Sequence, residues 1–152
     1  QTTTGLSNQK SLAARDSISL TSSGQVINNG IIEAGVNADE SRNTNGDVNL
    51  TAASLKNSQS VVASRTLTVA AAQTLDNQGG TLSGVKTVAS AGQFDNRGGR
   101  VLGADALKVN ASGLDNLAAG LVHSDNSTDV TVTAALDNRN GRVIGLKNLT
   151  LN

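Results

Sequence analysis

The chain has 152 residues, 12 basic and 12 acidic, with Phe94 as its one aromatic, 16 Gly, and no Pro, Cys, Met, Trp or Tyr. Balanced charge without a basic stripe argues against nucleic-acid binding, and a single Phe offers no platform for stacking bases. The missing Cys exclude a disulfide framework and a thiolate metal site, and no window reaches the roughly 18 apolar residues of a membrane helix.

No charged start followed by an apolar run opens the chain, so no signal peptide is read in it and the sequence is expected to lie downstream of one. The first unit begins at Leu6, with Asn8 two places on, and closes in the apolar–polar–apolar triplet Ile18-Ser19-Leu20. The second begins at Val26, with Asn28, and reaches its triplet Val48-Asn49-Leu50 only after a polar insertion over about 35–46, GVNADESRNTNG. The third begins at Leu55 with Asn57, continues through Val61 and Val62, and ends in Leu67-Thr68-Val69.

From residue 75 the repetition is nearly literal: LDNQGGTLSG, FDNRGGRVLG, LDNLAAGLVH and LDNRNGRVIG begin at Leu75, Phe94, Leu114 and Leu136. Their Asn residues are Asn77, Asn96, Asn116 and Asn138. Short apolar segments follow at Thr81 and Leu82, Val101 and Leu102, Leu121 and Val122, and Val143 and Ile144. The closing triplets are Leu107-Lys108-Val109, Val130-Thr131-Val132 and Leu149-Thr150-Leu151, with Val88-Ala89-Ser90 as a blurred version in the unit from Leu75. Residues five after the anchor are small (Ser60, Gly80, Gly99, Ala119, Gly141), as a tight turn requires.

The seven anchors at 6, 26, 55, 75, 94, 114 and 136 recur at intervals of 20, 29, 20, 19, 20 and 22 residues. Alternation over three to five residues is the strand period. Strands this short, broken by Gly and Asn, cannot each bury a face alone, but stacked coils can. The predicted fold is all-β: one parallel β-helix over residues 1–152, of about seven coils and ~20 residues per coil, right-handed by the rule for parallel crossovers. At ~4.8 Å per coil it would make a rod of about 34 Å. A narrow interior explains the composition, since Leu, Val and Ile fit where Trp does not. The seven Asn residues are expected to form a ladder, each amide bonding the local turn and its neighbours along the rod.

The LDN-GG-L-G and LTL-type segments resemble the haemagglutinin repeats of filamentous haemagglutinin and of the contact-dependent growth inhibition effectors of Gram-negative bacteria. The resemblance covers the whole chain and is strongest over 55–152. It implies a right-handed β-helix within a long secreted exoprotein, exported through an outer-membrane two-partner transporter and displayed at the cell surface. It implies no catalysis, since the family's activities reside in other segments.

The expected function is therefore structural: a stalk segment, flanked by more repeats of the same chain, that presents a distal binding or toxin region. The chain's end inside Leu149-Thr150-Leu151, without a polar cap, fits a slice of a longer rod. The alternative is an adhesive module that itself binds a cell-surface receptor or glycan. Its candidate interaction loop is the insertion, with Asp39, Glu40 and Arg42, because solenoid insertions emerge on one face. An enzyme is not expected: the acidic residues recur as ladder members rather than as a unique pair. No cofactor or metal is expected either. Asp76, Asp95, Asp115 and Asp137 read as solvated turn carboxylates relieved by Arg97 and Arg139, rather than as a cation ladder. His123 shares phase with Leu121 and is expected to point inward, at the position of Gly84, Gly103 and Gly145. Leu102, Val122 and Ile144 are expected to share an outward stripe.

Overall fold

The structure is a computed structural model describing residues 5–152, in which fourteen strands join in one sheet paired in parallel throughout. The chain forms a β-solenoid of seven coils. The first coil contains β1 (Leu6–Asn8), β2 (Ser11–Ala14) and β3 (Ser17–Thr21). The second contains β4 (Gln25–Asn28), β5 (Ile31–Ala34) and the start of β6 (Asp47–Asn57), and the third runs from the end of β6 through β7 (Ser60–Ala63) into β8 (Thr66–Asp76). Long strands β9 (Thr81–Asp95) and β10 (Arg100–Asp115) carry the fourth and fifth coils around their corners. Strands β11 (Leu121–Ser124), β12 (Ser127–Asp137), β13 (Arg142–Gly145) and β14 (Asn148–Leu151) complete the stack. Register shifts within the pairings of β6, β8, β9, β10 and β12 mark where strands bend from one ladder into the next.

Each coil contributes three strand segments, and equivalent segments pair in register. The anchors form one column: Leu6, Val26, Leu55, Leu75, Phe94, Leu114 and Leu136. A second inward column runs Leu12, Ile32, Val61, Leu82, Val101, Val122 and Val143. The third segment adds two more: Ile18, Val48, Leu67, Thr87, Leu107, Thr128, Leu149, and Leu20, Leu50, Val69, Ala89, Val109, Val130, Leu151. These columns are the core. Val26, Ile32, Leu55, Leu82, Phe94 and Leu114 are all essentially without solvent contact. Each large aliphatic so buried contributes about 1.5–3 kcal/mol against the entropy of ordering the chain.

Two triplets differ from the sequence reading. In the fourth coil the inward pair is Thr87 and Ala89, so Val88 faces out; in the sixth it is Thr128 and Val130, two residues earlier than Val130-Thr131-Val132 suggests. Thr87 and Thr128 are buried at positions held elsewhere by Ile, Val or Leu. Their hydroxyls donate to the carbonyls of Leu102 and Ile144 at 2.6 and 2.7 Å, which removes the penalty of an unpaired polar group in the core.

The turn after each anchor explains the Gly-rich step. Gly79, Gly98 and Asn140 occupy the left-handed region at φ 67°, 63° and 58°. The glycine that follows meets the preceding coil: a Cβ on Gly99 would lie 2.0 Å from the Asn77 carbonyl oxygen, and one on Gly141 1.7 Å from that of Asn116. The sixth coil makes this turn one residue longer, with Ala118 and Ala119 both at positive φ. There the close approach falls on Gly120, not Ala119, and Ser60 pairs with Ile31 and Thr81 rather than occupying the glycine position.

Candidate functional site

The insertion is a self-contained hairpin. Val36 and Arg42 form an antiparallel bridge, and beside it Asn37 donates its backbone N–H to the Ser41 carbonyl and its side-chain amide to the Ser41 hydroxyl. Glu40 turns the tip at φ 63°. The three residues of the candidate interaction loop therefore share one exposed excursion, with different freedom. Asp39 accepts from the Ser41 hydroxyl at 2.6 Å and its backbone N–H at 3.1 Å, and these bonds hold its carboxyl below the ordinary value. Arg42 Nε reaches the Glu33 carboxylate on β5 at 2.8 Å, tying the hairpin to the rod. At the tip, the Glu40 carbonyl accepts from the Arg42 guanidinium at 3.1 Å. Asn43 donates to the Arg15 carbonyl at 3.0 Å, a second tie. The hairpin closes at its base: a Cβ on Gly46 would stand 2.2 Å from the Gly35 nitrogen.

Inside the rod runs the other polar feature. Each of Asn8, Asn28, Asn57, Asn77, Asn96 and Asn116 donates its amide to the Oδ1 of the next, ending at Asn138, at 2.7 or 2.8 Å. Each of the six also donates to a backbone carbonyl of the next coil: Ile31, Ser60, Thr81, Arg100, Leu121 and Arg142 in turn. All six amides point the same way along the axis. Asn28, Asn57, Asn77, Asn96 and Asn116 are buried. A buried primary amide is costly unless paired, and here both hydrogens and the oxygen are used, so the ladder fixes register between coils and offers nothing to a ligand.

Outside the ladder, Asp76, Asp95, Asp115 and Asp137 stack in register, with Lys56 one coil before them. Arg97 clasps Asp95, and Arg139 clasps Asp137, each Nε at 3.0 Å from a carboxylate oxygen. Burial pushes the Asp95 carboxyl up, but the Arg97 bonds outweigh it and the group sits below its ordinary value; at Asp137 the Arg139 side chain acts in the same direction. Lys56 meets Asp76 at 3.5 Å. Among the described residues no group of three or more His, Cys, Asp or Glu gathers in a way that would hold a metal.

His123 does not point inward. It pairs with Leu102 and Ile144 on the outer face and lies 3.6 Å from Asp125, while Ser124 takes the buried position of Gly103 and Gly145. Val122 is correspondingly inward, so the outer column is Val62, Ser83, Leu102, His123, Ile144, without Val122. The longer turn of the sixth coil shifts the strand phase by one and causes both differences. A further surface feature, not foreseen in the sequence, is a shallow groove of about 550 Å³ along successive coils, with Ala52, Ala71, Ala91 and Ala111 in its floor and Thr51, Ser90, Asn110 and Thr131 on its sides. Small side chains at one corner of the second to sixth coils create it.

No protein-family model matches the chain, and neither a curated protein nor a solved structure matches it.

Proposed function

We propose that this chain is a stalk segment of a large secreted bacterial surface exoprotein, an adhesin or a contact-dependent inhibition effector, that holds a distal binding or toxin region away from the cell. The observation that carries the reading is the unbroken column of coupled amides and aliphatic side chains through all seven coils. A device of this kind produces length and stiffness: each added coil lengthens the rod by ~4.8 Å. Its partners are then flanking repeats of the same chain and, during export, an outer-membrane two-partner transporter. The resemblance of the LDN-type repeats to filamentous haemagglutinin supports the surface location at a Gram-negative cell.

The hairpin favours a second reading, direct adhesion to a receptor or glycan. It stands out from an otherwise regular surface and carries Asp39, Glu40 and Arg42. Binding of the labelled chain to epithelial and bacterial cells, beside a variant lacking 36–45, separates the two. The stalk reading expects no saturable binding by either protein. Saturable binding that disappears with the hairpin overturns it in favour of adhesion.

A further inference from the structure

The first and last described coils present unfinished faces. On the first, Leu6 and Leu12 are each 40% exposed, and a cavity of about 100 Å³ opens among Leu6, Leu12, Leu20, Val26 and Ile32. On the last, Leu136, Leu149 and Leu151 are exposed at 39%, 44% and 53%. Both faces belong to the inward columns that bury their neighbours elsewhere. Each also carries an open strand edge, which is a template for pairing.

The two faces are complementary, because the stack has a direction. Every amide of the ladder donates toward the C-terminal end, so the last coil offers the Asn138 amide hydrogens and the first offers the Asn8 oxygen. Continuing the register would set Leu136 over Leu6, Val143 over Leu12, Leu149 over Ile18 and Leu151 over Leu20. The outward pairs carry no clash of like charge: Asp137 would face Ser7, Arg142 Ser11, Asn148 Ser17 and Thr150 Ser19. The turn after Asn138 is one residue longer than that after Asn8, and a step of the same size and direction already stacks within the chain, where the turn after Asn116 is one residue longer than that after Asn138.

We propose that the last coil of one molecule receives the first coil of a second copy, head to tail, in the register that joins successive coils within the chain. The contact is heterologous and does not close on itself, so it generates linear oligomers rather than a symmetric dimer. On the stalk reading the same faces meet flanking coils of the same chain, so the contact between copies is a property of the 152-residue chain by itself. Further coils of the same chain, where present, would compete for the same faces.

The test is sedimentation velocity of the 152-residue chain from micromolar to millimolar concentration, with two variants. Asn138→Asp removes the amide donors of the last face while still accepting from Asn116, and Leu12→Lys puts a charge on the first face. Wild type is expected to form a concentration-dependent series of sizes. Each variant alone is expected to lose it, with its far-UV circular dichroism unchanged. An equal mixture retains one competent pair of faces and should form a dimer and nothing larger. A wild-type chain that stays monomeric at millimolar concentration overturns the proposal. So do oligomers that persist in either variant, which would place the contact on the sides of the rod, and a mixture of folded variants that yields no dimer.

Discussion

Replacing Asn96 by Ala removes one rung from the middle of the ladder. In the wild type its oxygen accepts from Asn77 at 2.8 Å, and its amide donates to Asn116 Oδ1 at 2.7 Å and to the Leu121 carbonyl at 3.3 Å. Asn77 keeps two other acceptors, the carbonyls of Gly80 and Arg100. The Asn116 oxygen loses the donor of the preceding coil in a site without water access. An orphaned buried acceptor costs about 1–3 kcal/mol, and the weakened Leu121 carbonyl adds a fraction of that. The small void adds up to about 1 kcal/mol. The total, about 1–5 kcal/mol, corresponds to a fall in Tm of roughly 2–20 °C for a chain of this size. Asn8→Ala provides the comparison, because the same chemistry there is half-exposed and water replaces it, so its cost should stay below about 1 kcal/mol. Asn96→Asp keeps the shape and the acceptor but loses the donors, and should cost at least as much as Ala at neutral pH. Urea unfolding followed by circular dichroism measures all three. If Asn96→Ala matched Asn8→Ala, or lay within about 0.5 kcal/mol of wild type, the buried amides would not be what fixes the register.

Other perturbations separate the rod from its decorations. Leu107→Asp puts a carboxylate at a position 2% exposed between Thr87 and Thr128, and should cost more than about 4 kcal/mol and spread to the adjoining coils; an unchanged melting curve would refute the inward assignment. Deleting 36–45 should leave the β-signal intact and shift Tm by only a few degrees, since Gly35 and Gly46 already touch; collapse would show that the ties to Arg15 and Glu33 hold the second coil together. The carboxyls of Asp47, Asp95 and Asp137 lie below their ordinary value of 3.8, Asp47 through its hydrogen bonds from Arg65. A carboxyl depressed on folding contributes stability in full above its unfolded value and loses it as pH falls through its folded value. Thermal stability should therefore be flat on the alkaline side of about pH 4 and fall below it, and Asp47→Asn should remove part of that fall; an identical acid limb in the variant would exclude the Asp47–Arg65 pair as a contributor.

The anchor column and the Asn ladder were legible because they repeat at a spacing the chain cannot change without breaking register. Each anchor is apolar in sequence, and Asn two places on is a rare enough pairing to be seen through the 29-residue interval at the insertion. What misled was local hydropathy used in place of that spacing. Thr87 and Thr128 are polar by composition and buried by position, while Val88 looks better suited to the core than Thr87 does. Counting seven or eight residues back from the next anchor finds Ile18, Val48, Leu67, Thr87, Leu107 and Thr128 without reference to hydropathy. His123 faces outward, against the sequence expectation, for a related reason. The extra turn residue between Asn116 and Val122 is absorbed by two alanines in left-handed geometry, a conformation that Ala does not advertise. The hairpin's extent was visible as a break in the period. That Arg42 is spent on Glu33 was not, because the pair depends on how the excursion folds back over β5.

The coils are joined side by side but the chain passes through them in series, and this sets how the rod meets tension. Pulled from its ends, it presents one boundary at a time, the seam between the outermost coil and the one beneath. Detaching a coil of ~20 residues releases ~68 Å of extended backbone from an element that occupied ~4.8 Å of the axis. The next seam then stands where the last one stood, held by the same amide and the same aliphatic contacts. A load on such a rod is met by yielding one coil at a time, in steps of 19 to 22 residues apart from the 29 of the second coil, each leaving the rest of the stack in register.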